Sequence, residues 1–174
     1  MVGARHWFAR RRCERTQGGP SLSQCAAVIR RITAFPLTDL QRLLQWALFN
    51  LVVGNSDAHG KNLSLLYDDQ RVPRLAPFYD LVCTRNDKTL SRELAMNLGG
   101  AWDPDLVKKT QLEKLAAELG FRANTVLSQF ALLLERIASQ LPAAVEGFAQ
   151  HFGDSPILKR VPIIIRKNLR RLSR

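Results

Sequence analysis

ALFNLVVGNSDAHGKNLSLL, residues 47–66, runs from an apolar helix into a polar loop and back into an apolar strand. Leu40, Leu43, Leu44, Ala47, Leu48, Leu51 and Val52 recur at three- and four-residue spacing, the period of a helix face turned to a core. Trp46 and Phe49 widen the stripe, so this helix is expected to be buried on most of its circumference. Thr38 or Asp39 is expected to cap its start and Gly54 to stop it. The loop then sets Asp57, His59, Lys61 and Asn62 within six positions.

That loop has the makings of a phosphotransfer site. Moving a phosphoryl group needs a carboxylate that orients the attacking hydroxyl and accepts its proton. It also needs oxygen ligands for magnesium, because the charge on the phosphoryl oxygens must be neutralised. Protein kinases space these as HRDxxxxN, with the Asn five positions after the Asp, and Asp57 and Asn62 have that spacing. Two strand-like runs come next, Leu63 to Tyr67 and Arg74 to Val82, around the turn-rich DDQRVP. The second run carries Asp80 within Tyr79-Asp80-Leu81, in the order in which kinases bring their second magnesium ligand but without the letters of DFG. A polar turn rich in Asn, Ser, Asp and Gly is the plain alternative for Asp57 and Asn62. The ordered set of buried helix, D-x-H-x-K-N loop, hairpin and aromatic-Asp favours the chemical one.

Outward from this centre the chain reads as mainly α with a small β-hairpin element. Ser21 or Ser23 caps a helix through Cys25, Val28, Ile29 and Ile32, with Pro36 closing it. ELAMNLGG, residues 93–100, ends at two glycines. Thr110 and Glu113 have capping-box spacing, and Gly120 stands directly after LEKLAAEL. Asn124 is placed to cap a long helix that Pro142 breaks or kinks, and Ser155-Pro156 opens a last helix that Pro162 kinks. No linker or repeat divides the 174 residues, so one domain is expected after a basic leader over residues 1–17.

Composition narrows the setting. Cys13, Cys25 and Cys83 form no CxxC pair, which argues against a zinc site or disulfide framework and fits a cytoplasmic location. The longest apolar stretch, near Trp46 to Val53, is too short to cross a bilayer, so no membrane association is expected. Net charge is +11, concentrated at the two ends. This suits a polyanion or simply a solvated basic face. No recognition helix of a known DNA-binding motif is evident, so direct nucleic-acid binding is expected to be weak at most.

Residues 47–66, with RLAPFYDLV, LAMNLGG and GGPSLSQC, resemble the HipA family of bacterial Ser/Thr toxin kinases over roughly residues 18–150. The resemblance implies a protein-kinase-like C-terminal lobe over 18–174, using ATP and Mg2+ and acting on a protein substrate, with a DNA-binding antitoxin as partner. It makes Asp57 the catalytic aspartate and Asn62 and Asp80 the cofactor-binding and magnesium-ligating residues. His59 could position Asp57, contact phosphate or simply pack the loop; Lys61 could contact phosphate or lie in solvent. Asn55 and Tyr79 would shape the site. The D-x-H pattern is also similar to phosphoinositide-type kinases, which makes a lipid or small-molecule kinase the nearest alternative. No Gly-rich phosphate loop or VAIK-like strand precedes the motif, so the nucleotide-clamping lobe is expected to be missing. A truncated kinase, a chain completed by an N-lobe partner, or a binding module without turnover would each account for that. A basic helical nucleic-acid-binding protein is a further class, but it leaves Asp57 and Asp80 unexplained.

Overall fold

A computed structural model describes residues 19–174. The basic leader, with Cys13, falls outside the described residues. Among the described residues there are five α-helices and a two-stranded hairpin: α1 (Leu22–Ile32), α2 (Pro36–Val53), β1 (Leu65–Tyr67), β2 (Pro73–Leu75), α3 (Lys109–Glu118), α4 (Ala123–Phe152) and α5 (Pro156–Leu172). The mainly helical expectation with one hairpin is met.

Helix α2 is the axis of the core. Leu43, Leu44, Leu48, Leu51 and Val52 are all buried, and α1, α4, α5 and β2 pack against it. Gly54 ends it in the left-handed conformation at φ 79°, which a glycine adopts without a Cβ penalty. Ser21 caps α1, forming a reciprocal box with Gln24. Ser155 caps α5, its hydroxyl accepting from the Ile157 N–H at 3.4 Å.

Several boundaries differ from the sequence expectation. Pro36 does not close the first helix; it opens α2, where its missing N–H costs nothing. Asp39 is therefore not a cap. It lies inside the first turn, 1% exposed, as an acceptor for β2. Helix α3 begins at Lys109, and Gln111 rather than Glu113 closes its box, accepting from the Lys108 N–H at 3.2 Å. Helix α4 starts at Ala123 behind Arg122, with no side-chain cap from Asn124. It runs on through Pro142 as one helix, as α5 does through Pro162.

The hairpin pairs Leu65 with Leu75, Leu66 with Arg74 and Tyr67 with Pro73. Only Leu65 and Leu75 point into the core, the alternation expected of a half-buried ribbon. The strand expected over residues 74–82 is cut to its first two residues. Ala76 still donates its N–H to the Ser64 carbonyl at 2.9 Å; beyond it the chain leaves the ladder, and residues 76–83 have no regular structure. The hydrogen-bonding groups of that segment are thereby free to be held by side chains instead.

Candidate active site

Two polar residues of α2 build the site from beneath. Asn50, 2% exposed in an otherwise apolar face, donates from Nδ2 to the Trp46 carbonyl at 2.8 Å and accepts from Asn55 Nδ2 at 2.8 Å. Asn55 also donates from Nδ2 to the Asp80 carbonyl at 3.1 Å, and its Oδ1 accepts from the Asp57 N–H at 3.1 Å. One buried amide thus ties the backbone of Asp57 to that of Asp80, residues 23 positions apart in sequence. Buried amides are retained when every donor and acceptor is met, and a satisfied network fixes a single geometry.

The second anchor is Asp39. Its Oδ2 accepts from the Leu75 N–H at 3.1 Å, and its Oδ1 lies 3.5 Å from Arg42 Nη1. Arg42 in turn donates to the Leu75 carbonyl at 2.5 Å and the Ala76 carbonyl at 3.0 Å, with its guanidinium 5.4 Å from the Phe78 ring centroid. The chain a few residues before Asp80 is held to α2 by both charges.

Asp80 itself adopts φ 57°, a left-handed conformation uncommon for a side chain with a Cβ. Such a residue persists only where its surroundings over-determine it, at a cost on the order of 1–3 kcal/mol. Its carboxylate Oδ2 accepts from Asn62 Nδ2 at 2.5 Å. Asn62 is buried, and its Oδ1 accepts from the His59 N–H at 3.0 Å, closing the loop that carries Asp57. Asp57 projects from this loop with its side chain 68% exposed, and His59 Nε2 lies 3.9 Å from Asp57 Oδ1. That separation is beyond a hydrogen bond. His59 Nδ1 is buried with no partner among the described residues. The Lys61 side chain is exposed, while its carbonyl accepts from the Tyr79 hydroxyl at 2.7 Å. Gly60 lies under Pro20 so closely that a Cβ there would come within 2.5 Å of Pro20 Cγ, which seats the residue ahead of α1 against the loop.

The segment beyond Asp80 returns to the same loop. Thr84 Oγ1 accepts from the Ser56 N–H at 2.7 Å and donates to the Gly54 carbonyl at 3.2 Å. Ser56 then donates to the Arg92 carbonyl at 3.0 Å. Arg85 crosses to Asp105, which also receives Arg171 and Arg92. Burial alone would push Asp105 up, but the hydrogen bonds and charge of Arg85, with Arg171 and Arg92, hold its carboxyl below the usual range. Burial pushes the Cys83 thiol up, against opposing pulls from Asn86 and Arg85.

Asp57, His59, Asn62 and Asp80 therefore meet at one surface, with Lys61 at its edge. The polar anchors Asn50, Asp39 and Arg42 escape a motif search. Their signal is a polar residue inside an apolar helical stripe, since such a group must find a partner.

The model of the HipA-like C-terminal domain family matches residues 2–145. The chain belongs to the HipA-like C-terminal domain family. Among curated relatives, this HipA-like chain is 38% identical over 140 residues to the "putative kinase Y4mE" of Sinorhizobium fredii, covering 80% of the chain and 33% of the relative. It is 37% identical over 110 residues to the serine/threonine-protein kinase toxin HipA of Shewanella oneidensis, covering 63% of the chain and 24% of the toxin. A solved Shewanella oneidensis complex of HipA, HipB and operator DNA superposes with a TM-score of 0.73 at 29% identity, over 89% of this chain and 35% of that one. The chain thus spans between about a quarter and a third of the length of these HipA-like relatives. Among the described residues no helix is long and apolar enough to cross a membrane.

Proposed function

We propose that this chain is the catalytic and magnesium-binding part of a Ser/Thr protein kinase that moves the γ-phosphoryl group of ATP to a protein hydroxyl. The observation that carries this reading is the Asn62–Asp80 side-chain contact of 2.5 Å, formed on the same loop that exposes Asp57.

In this reading Asp57 orients the substrate hydroxyl and takes its proton as the oxygen attacks phosphorus. Its exposure suits a residue that must meet a large substrate, and the Asn55 amide holds its backbone without occupying its carboxylate. His59 limits the positions open to Asp57 from one side. Lys61 is free to meet a phosphate from the rim. Asn62 and Asp80 would hold Mg2+. Among the described residues no three carboxylate, histidine or cysteine side chains cluster as an all-protein metal cage. Mg2+ needs only one or two protein carboxylates, completing its shell with water and substrate phosphates, so Asp80 with the Asn62 amide oxygen would suffice. Asn62 Oδ1 has a second lone pair beyond the one engaged by His59 N–H. Bound there, the ion would neutralise charge on the phosphoryl oxygens. The phosphate-clamping part of the kinase, and a DNA-binding antitoxin such as the HipB that accompanies the Shewanella toxin, would lie on other segments or chains.

Manganese, a paramagnetic stand-in for magnesium, tests the metal reading on the chain alone. Titrated into 15N-labelled protein, it should broaden the Asn62 side-chain amide and the backbone amides of residues 57–62 and 80 first. Asp80→Asn should require several-fold more metal for the same effect. Broadening centred on Asp103 and Asp105 instead would remove the proposed site.

A further inference from the structure

Helix α5 and the residues after it carry charge that is mostly used neither by the fold nor by the proposed site. Residues 156–174 contain seven basic side chains and no acidic one, so this stretch supplies +7 of the chain's net +11. One of the seven, Arg171, turns inward to Asp105 at 3.3 Å. The other six, Lys159, Arg160, Arg166, Lys167, Arg170 and Arg174, are exposed. Lys159 meets Asp154 at 3.3 Å. Among the described residues no carboxylate lies within ion-pair distance of the other five.

At about 100° per residue the five within α5, Lys159, Arg160, Arg166, Lys167 and Arg170, fall within roughly a third of the helix circumference, along one stripe, and Arg174 follows just past the helix end. The opposite face is fixed in the core. Pro162, Ile165, Asn168 and Leu169 are buried, and Asn168 donates to the Val52 carbonyl at 2.9 Å. That face cannot also enter a bilayer, whereas a membrane-lying helix must bury its apolar side. The exposed stripe offers only Ile163 as a large apolar contact and no aromatic anchor, which is poor material for the centre of a protein interface. It is well suited to phosphate. From Lys159 to Arg170 it runs about 16 Å, a length over which duplex DNA presents on the order of ten phosphate charges. Four of the six cations are arginines, whose planar forks pair phosphate oxygens bidentately.

We propose that the outer face of α5 is a nucleic-acid docking surface that grips the phosphate backbone without reading sequence. It orients the domain along a duplex, and it is independent of the phosphotransfer chemistry. Engaging about four phosphates, it should give a slope of log K against log salt of about −3.6.

The test is fluorescence anisotropy with a labelled 20-base-pair duplex of arbitrary sequence, between 25 and 200 mM NaCl. Three variants of the 174-residue chain are compared, each checked by thermal melting. In the first, Arg160→Gln, Arg166→Gln, Lys167→Gln and Arg170→Gln are combined; all four positions are exposed, so the fold should survive. In the second, Arg71→Gln, Lys88→Gln, Lys109→Gln and Lys114→Gln remove the same charge elsewhere. In the third, Arg5, Arg10, Arg11, Arg12 and Arg15 of the leader become Gln. The proposal requires the first variant to lose most of the salt slope and at least 100-fold in affinity at 50 mM. The other two should stay within about threefold of the parent, and a second duplex of unrelated sequence should bind equally. Four results would each overturn it: a parent with no salt-dependent binding, equal losses in all three variants, loss confined to the leader variant, or tighter binding to phosphatidylserine vesicles than to duplex.

Discussion

Asp39→Ala should be among the most damaging single substitutions outside the apolar core. Asp39 is 1% exposed and is the acceptor for the Leu75 N–H, which becomes a buried orphan once the carboxylate is gone. Leaving one buried donor unpaired costs about 1–3 kcal/mol. The lost charge partner of Arg42 adds less, because Arg42 keeps the Leu75 and Ala76 carbonyls and its side chain is 32% exposed; roughly 0.5–1 kcal/mol is reasonable there. The sum is about 1.5–4 kcal/mol, reaching the lower part of what breaking a buried ion pair costs. For a domain of this size that corresponds to a fall in Tm of about 5–12 °C. Asp39→Asn keeps an acceptor for Leu75 and should lose about half as much. Calorimetry gives the Tm, and amide exchange at Leu75 gives the mechanism: its protection should collapse in the alanine variant and persist in the asparagine one. A Tm within 2 °C of the parent, with Leu75 still protected, would refute the reasoning, because β2 would then be held by something other than Asp39.

Asn55→Ala removes an amide that meets Asn50, Asp80 and Asp57 at once. A loss of about 2–3 kcal/mol is expected by chemical denaturation, with chemical-shift changes reaching Asp80; shifts confined to residues 54–57 would contradict the bridge. The pH dependence of stability should report on Asp105. Its folded-state value is depressed, so the stability it supplies is complete above the ordinary carboxylate range and drains away as pH falls through the folded value. Asp105→Asn should therefore lower Tm at pH 7 by about 2–4 °C, the equivalent of roughly 1 kcal/mol after solvent screening. The gap between variant and parent should narrow as pH falls below the ordinary carboxylate range and through the folded value; a gap that does not change with pH would show that the arginine cluster is not the cause.

The features legible in the sequence are those whose signal is local. Periodicity is local, so the α2 core stripe, the Ser21 and Ser155 caps and the Gly54 stop stand where the sequence puts them. The spacing of Asp57 and Asn62 is also local, and so is the turn that returns β1 to β2. Proline is ambiguous: Pro36 satisfies either the end of one helix or the start of the next, and burial of Asp39 against β2 decides for the start. The strand expected over 74–82 fails because β-propensity describes a side chain that fits a half-buried sheet, and here Leu81 and Val82 are exposed with no neighbouring strand among the described residues to pair. The left-handed turn at Asp80 is only weakly marked in the letters, since an aspartate tolerates that conformation but, unlike a glycine, does not announce it. Asn55 holds it from 25 positions away, and Thr84 and Arg92 tie the next segment back to Ser56.

The central claim is that Asp57 acts chemically on a scaffold that does not need it. The most direct measurement is phosphate transfer from ATP to protein, made with the chain joined to the N-terminal region that its longer relatives carry, with a thermal melt on the same samples. Asp57→Asn keeps the side chain's size and the Asn55 bond to its backbone but removes the charge that takes the proton. The predicted result is a rate lower by about 10²–10⁴ with Tm unchanged within about 1 °C, as expected for a side chain that is 68% exposed. Undiminished transfer by the Asp57→Asn protein would contradict the account.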